Sequence, residues 1–370
     1  MSLRIQTSGA WLVSAAALGL GGCQTSPTSS TIAPAQVVHS FPDPEAPRLA
    51  AVETTRFAMP SREQELLGAT QVLFARYEDT FSAIAREYNL GLDEMRAANP
   101  GVDHWIPGEG TPIYLPTQAV LPDAPREGIV LNTATMRLFY FSDDEVTTHP
   151  IGIGRVGWAT PTGSGTVTSK AHDPAWYVPA SIRKEHAELG DPLPAVVPPG
   201  PDNPLGSRAL ALSLPGYLIH GTNKPAGVGM RVSHGCVRLY PEDVEALFER
   251  VDVGTPVHIV DQPVMAGWSD GQLYLEVHPP LQEDERDLLM DAERVIARAL
   301  ERAGESYRVI DRSIVERIVE ERRGMPFPVL IPTPSPTLYL VSVRVVENTT
   351  PIPGLETTVQ AQPQAPPVTD

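Results

Sequence analysis

The sequence predicts a mainly β domain at the centre of the chain, a sandwich or barrel with one helix. A small α+β unit precedes it and a helical annex follows it. Three observations carry this prediction. From 127 to 261, β-prone runs succeed one another with turn residues between them and little helical spacing. From 69 to 118, two runs with apolar residues three and four apart lie between two strand-like runs. From 262 to 347, apolar stripes at helical spacing return. A chain of 370 residues has room for two or three domains. Its net charge of −17 argues against nucleic acid as a partner, because phosphate binding needs a basic face.

Residues 1–22 hold one charged side chain, Arg4, and an apolar run from Trp11 to Leu20. That run is shorter than the roughly 20 residues a membrane span requires and has the length of a signal-peptide core. It ends in Leu20-Gly21-Gly22-Cys23, which resembles the lipobox of bacterial lipoproteins. The resemblance implies that Cys23 is lipidated and begins the mature chain, anchoring it to a membrane through more than one acyl chain. Gln24 in place of aspartate resembles the outer-membrane sorting of Gram-negative lipoproteins, which implies a periplasmic location. Residues 23–68 are rich in Ser, Thr, Pro and Ala and read as a flexible tether.

In the 69–118 unit, Asp79-Thr80 caps a helix whose apolar face is Phe81, Ile84, Ala85 and Tyr88. A second helix starts near Leu92 and stops at Asn99-Pro100-Gly101. Thr111 to Pro116 closes the unit as a strand, with Val72-Leu73-Phe74 as its partner. This strand–helix–helix–strand order, with Thr80, Ile84, Ala85, Asn99-Pro100 and Ile113-Tyr114-Leu115-Pro116, resembles a LysM domain. The resemblance implies binding to the glycan of peptidoglycan; a spacer role is the alternative.

The central domain opens with Ile129–Asn132 and Arg137–Phe141, two strands split by a short turn. Thr147 to Ile153, Thr166 to Lys170, Leu210 to Leu212 and Tyr217 to Ile219 continue the pattern. The one clear helix begins at Pro241, with Glu242 and Asp243 at its positive end and Val244, Leu247, Phe248 and Val251 as its buried face. Between the strands, residues 176–206 form a long proline-rich connection that reads as a lid or substrate wall carrying Trp176 and Tyr177.

The chemistry concentrates in Ser233-His234-Gly235-Cys236-Val237-Arg238-Leu239. A thiol becomes a strong nucleophile on losing its proton, and an imidazole is the usual acceptor. Two are candidates: His234, two residues before Cys236, and His220, at the end of an apolar strand. Gly235 permits a tight turn that exposes backbone N–H groups to an oxyanion. His220-Gly221-Thr222 followed by Ser233 to Leu239 resembles the L,D-transpeptidase catalytic domain, also called the YkuD domain. Pro201 to Gly206 and Asp270 to Pro280 extend the likeness over residues 128–280.

The resemblance implies a β-rich YkuD-type fold and a cysteine enzyme acting on tetrapeptide stems of peptidoglycan. Cys236 is then the nucleophile and His220 the proton acceptor and donor. The Gly221 carbonyl orients the imidazole, and His234 and Gly235 shape the oxyanion loop. Arg238 either lowers the thiol pKa, binds a stem carboxylate or holds a structural ion pair. Thr222, Ser233, Trp176 and Tyr177 are candidates for substrate contact. The acyl acceptor is another stem peptide, a lysine of a Braun-type lipoprotein, or water; a non-catalytic wall-binding lipoprotein is the second class of reading. His220, His234 and Cys236 suit zinc by type, but no fourth ligand is apparent, so no metal or cofactor is expected.

After this domain, Leu281 to Ala303 reads as an amphipathic helix ended by Gly304, Tyr307 to Ile310 as a strand and Arg312 to Glu321 as a second helix. Thr337 to Glu347 alternates like a strand, and 348–370 is a Pro-, Thr- and Gln-rich tail expected to be disordered.

Overall fold

A computed structural model describes residues 42–352, apart from Arg62 and Glu283. The signal peptide, Cys23, the first part of the tether and most of the tail lie outside the described residues.

The centre of the molecule is a nine-stranded sheet. Its order across the sheet is Arg56–Ala58, Glu145–Pro150, Arg137–Phe141, Gly128–Asn132, Pro256–Val260, Gly163–His172, Arg208–Leu212, Leu218–His220 and Val237–Arg238. Two neighbouring pairs are parallel, Pro256–Val260 with Gly128–Asn132 and Leu218–His220 with Val237–Arg238; the others are antiparallel. The expected hairpin at 128–141 is present with Leu131 opposite Leu138. Ile129, Leu131, Leu138, Val167, Leu210, Ile219, Val237 and Val257 form the core of this layer. Helix α4 (Pro241–Arg250) joins that core through Val244, Leu247 and Phe248.

Several expectations need correction. The central domain has two α-helices, because α3 (Ala180–Glu188) lies inside the 176–206 connection, beside a hairpin of Trp176–Tyr177 with Val196–Val197. Asn203 ties the end of that connection down: its Nδ2 donates to Pro174 O at 2.8 Å and Pro198 O at 3.0 Å, and its Oδ1 accepts from Leu205 N. The tether does not extend to 68. Arg56–Ala58 adds an edge strand against Glu145–Pro150, and Leu66–Gly68 pairs with Gln118–Val120, where the buried Leu67 finds an apolar floor.

In the small unit, strands Gln71–Phe74 and Pro112–Leu115 flank α1 (Phe81–Glu87) and α2 (Leu92–Ala98). Thr80 caps α1 through its side chain, 3.2 Å from Ala83 N. Asn99 locks the end of α2 to the strand, accepting from Tyr114 N at 2.7 Å and donating to Met95 O and Tyr114 O. Leu73, Phe81, Ile84, Leu90, Met95, Ile113 and Leu115 fill its core.

The C-terminal region is not purely helical. Val264–Ser269 and Gln272–Val277 form a hairpin extended by Phe327–Pro328. Against it lie α5 (Leu288–Ala303) and α6 (Arg312–Glu321). Helix α5 starts at Leu288, later than expected, because Asp287 caps the N–H groups of Leu289 and Met290. Tyr307–Ile310 is not a strand; only Ile310 makes a bridge, to Leu330. The alternating run near 337 is α7 (Pro336–Val341), and Arg344–Val345 then pairs with Gln71–Phe74, so the C-terminal region closes back onto the small unit.

Candidate active site

Two short parallel strands bring the histidine and the cysteine motif together. Ile219 stands opposite Val237, and His220 opposite Arg238. Ile219 and Val237 point into the core, so the alternation of strand side chains puts Leu218, His220 and Arg238 on the other face, with Cys236 directly before the second strand. His220 is almost completely enclosed, 3 % exposed. Its Nδ1 lies 2.6 Å from Gly221 O. With that nitrogen as donor, Nε2 keeps its lone pair and is the base of the ring. Burial first, and the positive Arg238 second, push the His220 pKa down to about 3, against the pull of the Gly221 and Leu205 carbonyls. The imidazole is therefore neutral near neutral pH.

Cys236 is half-buried, with Sγ 3.8 Å from Gly216 O. Burial raises its pKa, opposed by a backbone hydrogen bond from Leu218 and the charge of Arg238. The resting pair is thus a thiol and a neutral imidazole. Arg238 makes no side-chain hydrogen bond or ion pair among the described residues, and its Nε is buried without a partner. Burial lowers its pKa as well, and Cys236 raises it.

The turn before Cys236 is held by its own hydroxyl. Ser233 Oγ donates to Cys236 O at 2.6 Å and accepts from Gly235 N at 3.1 Å. Gly235 has φ +103, and a Cβ there would lie 2.8 Å from the Tyr217 ring, so both conformation and space demand glycine. The Ile153–Gly154 strand pairs in parallel with Arg231–Ser233 and buttresses the turn from behind. A Cβ on Gly154 would meet Trp158 O at 1.8 Å, so this approach also requires glycine.

His234 is engaged elsewhere. Its Nε2 lies 3.0 Å from Glu185 Oε2 and 3.1 Å from Arg155 Nη2, and Glu185 also pairs with Arg155. Its ring packs edge-on against Trp158. Burial lowers its pKa, with Glu185 opposing and Arg155 assisting. Glu185 rides on α3, so the 176–206 connection reaches the cysteine loop by this contact.

The structure thus places His220, Gly221, Cys236 and Arg238 together, with His234 and Gly235 in the adjoining turn. Gly235 N–H and the Ser233 hydroxyl are committed to the turn itself. Thr222 is buried and its hydroxyl accepts from Lys224 N, a local turn bond. Trp176 and Tyr177 pair with Val197 and Val196, Tyr177 being exposed, and neither makes a hydrogen bond or ring contact with the cysteine loop among the described residues. Arg155, Trp158, Thr160, Glu185 and Tyr217 are new neighbours. Of these, only Tyr217, at the start of the expected strand 217–219, is marked by the sequence. Among the described residues, no group of three or more His, Cys, Asp or Glu side chains is placed to hold a metal, and no helix is long and apolar enough to cross a membrane.

Residues 126–259 match the model of the L,D-transpeptidase catalytic domain, YkuD. The chain is 41% identical over 279 residues to the probable L,D-transpeptidase YbiS of Escherichia coli (strain K12), covering 73% of this chain and 90% of that protein. It is 38% identical over 281 residues to the probable L,D-transpeptidase ErfK/SrfK of Salmonella typhimurium, covering 73% and 89%. Among solved structures it is similar to the catalytic domain of an E. faecium L,D-transpeptidase, at 23% identity and a TM-score of 0.30, covering 37% of this chain and 99% of that one.

Proposed function

The chain belongs to the L,D-transpeptidase family, which acts on peptidoglycan, and on that footing we propose that it is a cysteine acyltransferase in which Cys236 and His220 do the chemistry. The observation that carries this is the parallel pairing of the His220 strand with Val237–Arg238, the strand that directly follows Cys236, with Nδ1 held on Gly221 O and Nε2 left as base.

His220 Nε2 takes the thiol proton as Sγ bonds to the carbonyl carbon of the third stem residue, and the carbonyl electrons move onto oxygen. When that intermediate collapses, the carbon–nitrogen bond breaks, His220 returns the proton to the departing D-alanine amine, and a thioester remains. An acceptor amine then attacks the thioester and gives its proton to His220, which passes it to the departing sulfur. The acceptor is a second stem peptide, giving a 3→3 cross-link, or the terminal lysine of a Braun-type lipoprotein; water in its place gives a carboxypeptidase or an amidase that releases such a lipoprotein. Arg238, with no partner of its own among the described residues, is suited to a stem carboxylate.

The small unit fits a wall-binding role beside this site. Tyr77 and Trp105 are exposed on the loops before α1 and after α2, at 79% and 62%, and flat aromatic faces of this kind stack on sugar rings. A lipid anchor at Cys23 would keep the enzyme at the outer membrane, facing the wall in the periplasm.

The test is incubation of the protein with purified sacculi, followed by mass spectrometry of the muropeptides. Wild type should yield products of thioester transfer and Cys236→Ala none; identical muropeptides from both would sink the acyl-transfer reading. A carbapenem should add covalently to Cys236, and metabolic palmitate labelling should disappear in Cys23→Ala.

A further inference from the structure

An oxyanion needs donors that are aimed and otherwise unused. In the cysteine turn, Gly235 N–H is spent on Ser233 Oγ. The Cys236 N–H has no acceptor among the described residues. Its direction is fixed by the carbonyl of the same peptide, since in a planar trans peptide the C=O and the N–H point opposite ways. That carbonyl, Gly235 O, accepts from Thr160 Oγ1 at 2.8 Å. The Thr160 oxygen in turn accepts from Gly154 N at 3.1 Å, which leaves its proton for Gly235 O. Thr160 is itself held on a tight turn, because Arg155 N donates to Ser233 O and Trp158 N to Arg155 O. Gly235, with no Cβ and φ +103, is the residue around which this peptide would otherwise rotate.

We propose that Thr160, which lies outside the cysteine motif, is a positioning residue that holds the Gly235 carbonyl and so aims the Cys236 N–H at the oxygen of the attacked carbonyl. This rests on the acyl-transfer reading of Cys236. It implies that the turn 153–160 serves the oxyanion rather than the sulfur.

The two can be separated by reagent. Acylation by a carbapenem passes through an oxyanion; alkylation by iodoacetamide displaces iodide at carbon and does not. Thr160→Val should slow carbapenem acylation by about 10- to 100-fold while alkylation of Cys236 stays within about twofold of wild type. Thr160→Ser should restore acylation. Acylation of Thr160→Val at the wild-type rate would overturn the proposal. So would an equal fall of both reactions in Thr160→Val and Thr160→Ala, which would assign Thr160 to holding the loop as a whole. A wild-type protein that alkylates but never acylates would instead remove the acyl-transfer reading beneath it.

Discussion

The cysteine turn and the seam where α1 and α2 dock on the central sheet are both tightly built, but they differ in what they leave open: the seam leaves one neutral oxygen, Asn89 Oδ1, and the turn leaves a charge and a backbone donor. In the seam the charges of Arg86, Glu94, Arg137 and Glu242 all have partners. Glu94 accepts from Gly91 N and pairs at 2.8 Å with Arg137, which also donates to Asn89 O and Thr148 Oγ1. Arg86 makes two bonds of 2.8 Å to Glu242 and lies over the Tyr240 ring, whose hydroxyl donates to Leu90 O. At the cysteine turn, the hydroxyls of Ser233 and Thr160 fix the backbone, yet the Cys236 N–H and the Arg238 guanidinium have no partner among the described residues. Buried polar groups are nearly always satisfied where only stability is at stake. Open groups on a rigid frame mark where a ligand supplies the partner. The seam should therefore respond to mutation in stability, and the turn in rate.

The largest break in this contrast is expected at His220. His220→Gln removes the proposed base and should lower the acylation rate by about 10²- to 10⁴-fold, followed by mass spectrometry of the carbapenem adduct. Its stability should move the other way in acid. The folded pKa, about 3, lies below the ordinary 6.5. The unfolded chain thus takes up the proton first as pH falls, and stability present above pH 6.5 is lost from there down towards pH 3, by on the order of a few kcal/mol. Urea melts at pH 7 and pH 4.5 should show a smaller acid loss in His220→Gln than in wild type. Equal losses would mean that the ring is not held neutral by burial.

The seam gives the opposite pattern. Glu94→Gln leaves the buried Arg137 without its counter-charge and should cost about 3 kcal/mol in a urea melt, near the low end for a broken buried pair because Asn89 O and Thr148 Oγ1 remain. Acylation by the surviving folded fraction should keep its wild-type rate. Arg86→Ala, at a half-exposed pair, should cost about 1 kcal/mol or less. The seam also touches the run feeding the cysteine turn, through Asp93 N donating to Gly229 O at 3.1 Å. A fall in acylation rate with Glu94→Gln would show that the small unit supports the turn through this contact, and would erase the contrast.

How much of this is legible in the sequence follows from the range of each interaction. The 128–141 hairpin, α4 with Pro241 at its first turn and α6 are written in local periodicity and caps, and the sequence places them within a residue or two. The His220–Cys236 pairing is legible because two short motifs flank it. The edge strand Arg56–Ala58 is not, since its three residues sit in a Ser-, Thr- and Pro-rich stretch and its partner is about ninety residues on. Helix α3 buries only Ile182, so periodicity carries no trace of it, and with it Glu185 is lost. Thr160 meets Gly235 across 75 positions through one hydroxyl, which no spacing rule can show. The hairpin at 264–277 did leave a signal: Asp270-Gly271, both at positive φ, is a two-residue turn between alternating runs.

The smallest expected effect is at Arg238, and it separates two roles for one open charge. Burial holds the Cys236 thiol above its ordinary pKa, and Arg238 is one of the groups pulling it back. Arg238→Met should raise the thiol pKa further, so the rise of iodoacetamide alkylation with pH should move to higher pH. An unmoved profile would mean that the sulfur does not feel this charge. Carbapenem acylation, measured on the same samples, adds the second reading. If acylation falls only by the lost thiolate fraction, Arg238 serves the sulfur alone. If it falls further, and the excess is relieved in a carbapenem ester lacking the free carboxylate, the guanidinium also holds the carboxylate of the incoming acyl group. The seam has no counterpart to this, since each of its arginines already has an acceptor within the fold.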